Sequence, residues 1–150
     1  MSRVIVVNNM VYSCGMDGKL KKWSILDKQL RYEFTHGNNV YEMTVGREET
    51  PLYNRVVSVS SDKFCRILDL ETGAELRKIN FDSQCWSLAV DKSQTVIAVG
   101  TDKNLTFIET ANFTKVKEIA LNDVYALAFN KRNDCLLAVT KNGEVHSFKF

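Results

Sequence analysis

Residues Val11–Ile25 read VYSCGMDGKLKKWSI, and the same pattern returns three times. It recurs as VVSVSSDKFCRILDL at Val56–Leu70, VIAVGTDKNLTFIET at Val96–Thr110 and LLAVTKNGEVHSFKF at Leu136–Phe150. Each segment is an apolar run, a turn carrying Asp or Asn, and a second alternating run, which is the pattern of a β-hairpin. The four segments start 45, 40 and 40 residues apart. Self-similarity at that period marks an array in which each unit buries its faces on its neighbours. The repeat therefore decides the class of fold and leaves function open.

Between the hairpins the alternation continues. Gln29–Phe34, Glu75–Phe81 and Lys115–Leu121 alternate polar and apolar residues, as a sheet-edge strand with one wet face does. Val40–Val45, Cys85–Val90 and Val124–Phe129 are apolar or small at nearly every position, which predicts inner strands covered on both faces. Arg3–Val7 is the first strand, joined to Val11 through Asn8-Asn9-Met10, where Asn tolerates a left-handed backbone. Turn signals at Asp17-Gly18, Thr72-Gly73, Asn122-Asp123 and Asn142-Gly143 separate the runs. No helical period is sustained, so about fifteen strands are expected, in the order inner, second, third, outer. Gly46–Asn54, with the lone Pro51, is the one long connection and is expected to be a surface loop.

The 150 residues make at most one ordinary domain, and 45% apolar with 25% charged residues is the composition of a soluble globular chain. Twenty basic residues against 18 acidic give a net charge of +2, which makes no electrostatic case for nucleic acid. The four-residue apolar run in MSRVIVVNNMVYS is too short for a signal peptide, and no stretch approaches a membrane span. A cytoplasmic location, with the nucleus as the alternative, is the expectation. Cys14, Cys65, Cys85 and Cys135 form no metal-ligand spacing and read as small buried thiols. The sequons at Asn104 and Asn112 carry no weight without a secretory signal.

Phosphate loops, HExxH, GxSxG and kinase signatures are all absent. His36 falls in a loop and His146 in mid-strand, and Glu48-Glu49 sits in a polar loop. Lys21-Lys22 and Lys115/Lys117 are short basic runs on strands, explained equally by edge lysines that block sheet-to-sheet aggregation and by an anionic partner. The expectation is a non-enzyme with no catalytic residue, metal or cofactor.

The turn residues Asp17, Asp62, Asp102 and Asn142 share one register position and read as structural, each accepting hydrogen bonds from backbone N–H groups two residues on. Leu20, Cys65, Leu105 and Val145 follow them and are expected to face inward. The string from Asp17 to Trp23, Asp-Gly-Lys-Leu-Lys-Lys-Trp, resembles the Asp-x-x-apolar-basic-x-Trp pattern of WD-repeat proteins. Asp62 to Asp69 resembles it too, with Leu68 in the tryptophan place; Ile108-Glu109 and Phe148-Lys149 are more diverged equivalents. The resemblance implies a β-propeller of four-stranded antiparallel blades. Over residues 1–150 the blades fall at about 2–35, 38–81, 84–121 and 123–150, three and three-quarter blades of an incomplete propeller. The Gly-His pair usual before the family's inner strand is absent, His36-Gly37 being reversed, so packing and Asx turns are expected to hold the hairpins without the family's histidine network.

Tyr41, Trp86 and Tyr125 are each the second residue of successive inner strands. In the family this position lies near the top of the central channel, where partners are often gripped, and such aromatics suit protein interfaces. Met16, Ser61, Thr101 and Lys141, with Asn38 and Gln84, are the neighbouring candidates. Two readings stand side by side: packing between blades, and contact with a partner. The resemblance implies a non-catalytic protein–protein interaction module, a scaffold or adaptor. One alternative is a half-propeller, a complete product or a gene fragment, that self-associates or completes another propeller chain. The other is a channel enzyme, for which the inner strands offer only Glu42 as an acid. An open half-ring would expose Val4, Val6, Val11, Leu137, Val139 and Phe148 on its end faces, and Glu144–Phe150 as an unpaired edge.

Overall fold

Period-two patterning and turn chemistry resolve into fifteen strands in the structure, a computed structural model that describes residues 3–149. The first sheet holds β1 (Arg3–Val7), β2 (Met10–Cys14), β3 (Lys19–Ser24) and β4 (Leu30–Thr35). The second holds β5 (Val40–Val45), β6 (Arg55–Ser60), β7 (Phe64–Asp69) and β8 (Glu75–Asn80). The third holds β9 (Cys85–Val90), β10 (Val96–Thr101), β11 (Asn104–Glu109) and β12 (Thr114–Ala120). The fourth, among the described residues, has β13 (Val124–Phe129), β14 (Cys135–Thr140) and β15 (Val145–Lys149). Every sheet is an antiparallel meander in chain order. The β1–β2 turn places Asn8 and Asn9 at φ 47° and 61°, the left-handed angles a two-residue hairpin needs.

Three apolar layers between consecutive sheets form the core. Tyr12, Cys14 and Leu20 meet Met43, Val45, Val56 and Leu68 between the first and second sheets. Val57, Val59, Cys65 and Ile67 meet Ile97, Val99 and Ile108 between the second and third. Ala98, Leu105 and Phe107 meet Val124, Leu136 and Ala138 between the third and fourth. The outer strands β4, β8 and β12 are more exposed than the one wet face their alternation predicts, with Leu30, Leu76 and Val116 also open to solvent.

Several expectations change in detail. Within the 46–54 connection Leu52 is buried in the middle layer, and Gly46 sits so close that a Cβ there would lie 1.6 Å from the Leu52 carbonyl oxygen. Lys22 does not guard an edge: its buried ammonium donates to the Leu70 carbonyl at 3.0 Å and to Glu71 Oε2 at 2.9 Å, joining the first sheet to the second. Val145 is 65% exposed, not inward-facing, because no sheet among the described residues covers that side of β15. Phe148 packs into the third layer, so it does not contribute to an exposed end face. The inner strand β13, expected to be covered on both faces, leaves Tyr125, Ala126 and Ala128 exposed for the same reason as Val145.

The third hairpin also departs from its siblings. Cys14 pairs with Leu20, Val59 with Cys65 and Val139 with Val145, but Gly100 pairs with Leu105, so its turn is one residue shorter. A one-residue slip reverses the faces of a strand. Val57 and Val59 point toward the following sheet, whereas Ile97 and Val99 point toward the preceding one. The small residues Ala98 and Gly100 thereby face the fourth sheet, where a Cβ on Gly100 would lie 2.6 Å from Val124 Cγ1 and 2.3 Å from Ser87 Oγ. Gly100→Ala is expected to cost about 1–3 kcal/mol through overpacking. Urea melts check this, and an unchanged midpoint would show that β10 does not approach β13 so closely.

Candidate functional site

An extra residue in three of the inner strands, β5, β9 and β13, builds the site. Val40 pairs with Ser60 and Glu42 with Val59, which leaves Tyr41 as a bulge. Cys85 pairs with Thr101 and Ser87 with Gly100, leaving Trp86; Val124 pairs with Thr140 and Ala126 with Val139, leaving Tyr125. A bulge takes a side chain out of the pleat and re-aims it. Three equivalent bulges bring the aromatic residues into one row. Tyr41 stacks on Trp86 with centroids 4.6 Å apart and planes at 30°, and Trp86 stacks on Tyr125 at 4.8 Å and 15°. These are offset-stacking distances, each contributing about 0.5–1.5 kcal/mol beyond area burial.

The row is fixed at one end and open at the other. Asn39 Nδ2 donates to the Tyr41 hydroxyl at 3.4 Å, and Trp86 Nε1 donates to Asp102 Oδ1. The Asp102 carboxylate also accepts the Gln84 N–H at 3.1 Å, so one side chain holds both the ring and the loop that leads into its strand. Tyr125 is 42% exposed, while Tyr41 and Trp86 are half-buried.

The other candidates scatter. Thr101, 1% exposed, accepts the Lys103 and Asn104 N–H groups and donates to the Asn104 carbonyl; it takes the turn-capping role that the shorter turn removes from Asp102. Ser61, 8% exposed, donates to the Asn39 carbonyl at 3.4 Å. The hydroxyls of both are engaged by the fold. Met16 lies exposed at the first hairpin's tip, in a surface hollow with Val4, Ser13 and Lys21. Lys141 lines a cleft with Asp123, Thr140 and Asn142 at the seam of the last two sheets. Asn38 is exposed and its Oδ1 accepts the Asn39 N–H at 2.8 Å. Asn39 is a site residue that sequence reasoning missed, and Asp102 was read only as a turn residue.

The turn residues are not equivalent either. Asp17 is exposed and accepts the Lys19 N–H at 3.2 Å. Asn142 accepts the Glu144 N–H at 3.4 Å and the Thr140 hydroxyl. Asp62 accepts the Phe64 N–H at 3.2 Å in its own turn, the Gly37 N–H at 2.9 Å from the loop before β5, and both terminal nitrogens of the buried Arg66 at 3.0 and 2.7 Å. Burial alone would raise its pKa, but the hydrogen bonds from Arg66 and Gly37 outweigh it and hold the carboxyl below its ordinary value. His36, expected in a loop outside any network, is buried directly after β4, with Nε2 2.9 Å from Ser58 Oγ. Burial and the nearby Arg66 charge push its pKa down to about 4. A polar cluster of His36, Ser58, Asp62 and Arg66 therefore ties the start of the second sheet.

At the opposite ends of the inner strands a groove of about 510 Å³ is lined by Met43, Leu88, Val90 and Leu127 with Glu42 and Arg3. Glu42 lies 3.2 Å from Arg3 Nε, and burial raises its pKa. Burial likewise pushes the Cys14 thiol up to about 11 and Cys65 up to about 12. Among the described residues no three His, Cys, Asp or Glu side chains converge on a point where a metal ion could bind.

No protein-family model matches the chain, and no curated protein matches it. Among solved structures, the crystal structure of the computationally designed Ika4 protein is similar to it, with a TM-score of 0.83 and 23% sequence identity. That likeness covers 98% of this chain and 89% of the other. At this identity it bears on the fold alone, an all-β arrangement of antiparallel sheets.

Asp62→Ala takes the carboxylate from both terminal nitrogens of the buried Arg66, which keeps only its Nε contact to Glu75 Oε2 at 3.1 Å. The change is expected to cost about 2–3 kcal/mol, against under about 1 kcal/mol for the exposed Asp17→Ala. Equal losses in denaturant melts would contradict the hierarchy. His36 gives a pH signature. Its folded pKa, near 4, lies below the unfolded value of 6.5. The unfolded chain therefore binds the extra proton between those values, and stability is full above pH 6.5 and falls as pH drops toward 4. The contribution reaches up to about 3 kcal/mol. His36→Gln is expected to flatten that part of the stability–pH curve; an unchanged slope would show that His36 is not the titrating group.

Proposed function

We propose that this chain is a divergent WD-repeat-type β-propeller segment that acts as a non-catalytic protein-interaction module, with the Tyr41–Trp86–Tyr125 row as its partner contact. The observation that carries the reading is the row itself. Three inner strands each spend a bulge on presenting an aromatic ring, although packing between the sheets is already supplied by the apolar layers. Stacked aromatics with restricted rotamers are favourable anchors because little side-chain entropy is lost when a partner covers them. Asp102 and Asn39 pre-orient two of the rings, and the exposed Tyr125 leaves the row open to a flat or extended protein segment. The propeller reading is supported by four sheets in chain order, by inner strands that neighbour one another, and by Asp62 bonded to the loop before its own inner strand. A scaffold or adaptor role in a cytoplasmic or nuclear complex is the setting this proposal fits.

Tyr125→Ala removes the most exposed ring with the least disturbance of the core. Affinity purification with quantitative mass spectrometry, comparing the parent chain with this variant, is expected to show partner recovery falling at least tenfold while the melting temperature holds within a few degrees. Unchanged recovery at equal stability would reduce the row to internal packing.

A further inference from the structure

The stack of sheets ends in two apolar faces that nothing among the described residues covers. On the first sheet, Val4 and Val6, each 61% exposed, stand beside Val11 and Trp23 through the pairs Val4–Ser13, Val6–Val11 and Val11–Trp23. On the fourth sheet, Leu137, Val139 and Val145 lie on the side away from the third layer, joined by the Val139–Val145 pair and flanked by Ala126 and Ala128. Each face is the repeat-mate of faces that are buried inside the molecule. Val11 and Trp23 match Val56 and Leu68, which are covered by the first sheet, and Leu136 and Phe148, which are covered by the third. Leu137, Val139 and Val145 match Val57, Val59 and Cys65, which are covered by the third sheet. The two open faces are thus the two halves of one kind of interface, already formed three times within the chain.

We propose that the occupant is a second copy of this chain, the fourth sheet of each copy packing on the first sheet of the other, so that a two-fold axis closes an eight-sheet ring. The inference rests on the propeller reading but not on the aromatic row. The area is sufficient. At ~4.8 Å per strand and ~3.3 Å per residue, the four-stranded face spans roughly 350 Å² and the three-stranded face roughly 260 Å². Each interface is limited by the smaller face, so the two together bury about 1,040 Å² as flat area counted on both copies, which clears the roughly 1,000 Å² expected of a specific protein interface. Front-on-back contacts that fail to close under a two-fold would polymerise instead, which makes closure a testable property.

Sedimentation velocity of the full chain is expected to give twice the 17.1 kDa chain mass. Val6→Glu and Leu137→Glu each place an unpaired charge in both interfaces of the ring and are expected to weaken the dimer at least tenfold, with circular dichroism reporting whether each variant folds. Should either fail to fold, the parent chain still decides the matter. With mixed ¹⁴N- and ¹⁵N-labelled copies, a lysine cross-linker is expected to join Lys21 of one isotope to Lys149 of the other. A folded monomer, an unbounded polymer, or a dimer whose cross-links avoid the two end sheets would each overturn the proposal. Val6→Glu, on the first sheet and away from the aromatic row, is expected to break the dimer while partner recovery holds, which separates this outcome from failure of the partner-contact reading.

Discussion

Face-to-face packing of apolar strands between consecutive sheets is the interaction on which the rest depends. A lone antiparallel sheet of this width has no independent stability until one face is buried. Here the two middle sheets bury both faces, and the second and third sheets share the largest layer, from Val57 and Ile67 to Ile97 and Ile108. The side chains in that layer leave water almost completely, each contributing about 1.5–3 kcal/mol of transfer free energy. The hairpin turns set registers, but the layers between sheets hold the registers in place. The end sheets, buried on one face only, inherit their stability from this centre.

Some of the polar side chains buried in the core join one sheet to the next. Lys22 reaches the Leu70 carbonyl, Ser87 Oγ donates to the Val124 carbonyl at 2.9 Å, and Gln94 Oε1 accepts from the Arg47 N–H and the Thr50 hydroxyl. Asp62 and Asp102 do the corresponding job inside single sheets by gripping the loop before the inner strand. In the third sheet that grip passes directly to Trp86, so the element that stabilises the strand also orients the aromatic row.

Much of the fold was legible from residues alone because period-two patterning and Asx turns are local. The inner strands fall at Val40–Val45, Cys85–Val90 and Val124–Phe129, as their unbroken apolar character indicated. What escaped depended on contacts between sheets. Nothing local to VIAVG says that its turn is one residue shorter than that of VVSVS; only the small Ala98 and Gly100, facing the crowded β13, hint at it. The alignment of Tyr41, Trp86 and Tyr125 was visible, but the bulges that aim them were not, since a bulge is defined by its partner strand. Lys22, Leu52 and His36 looked like surface or loop residues because burial in this array is decided by the neighbouring sheet.

Native-state hydrogen exchange tests the primacy of the inter-sheet layers most directly. The account predicts that amides of β6, β7, β10 and β11 exchange slowest and open together, with the exposed-face strands β4, β8 and β12 opening earlier at lower free energy. If each sheet instead opened as an independent unit, with its own protection unrelated to its neighbours, the packing between sheets would not be what holds this fold.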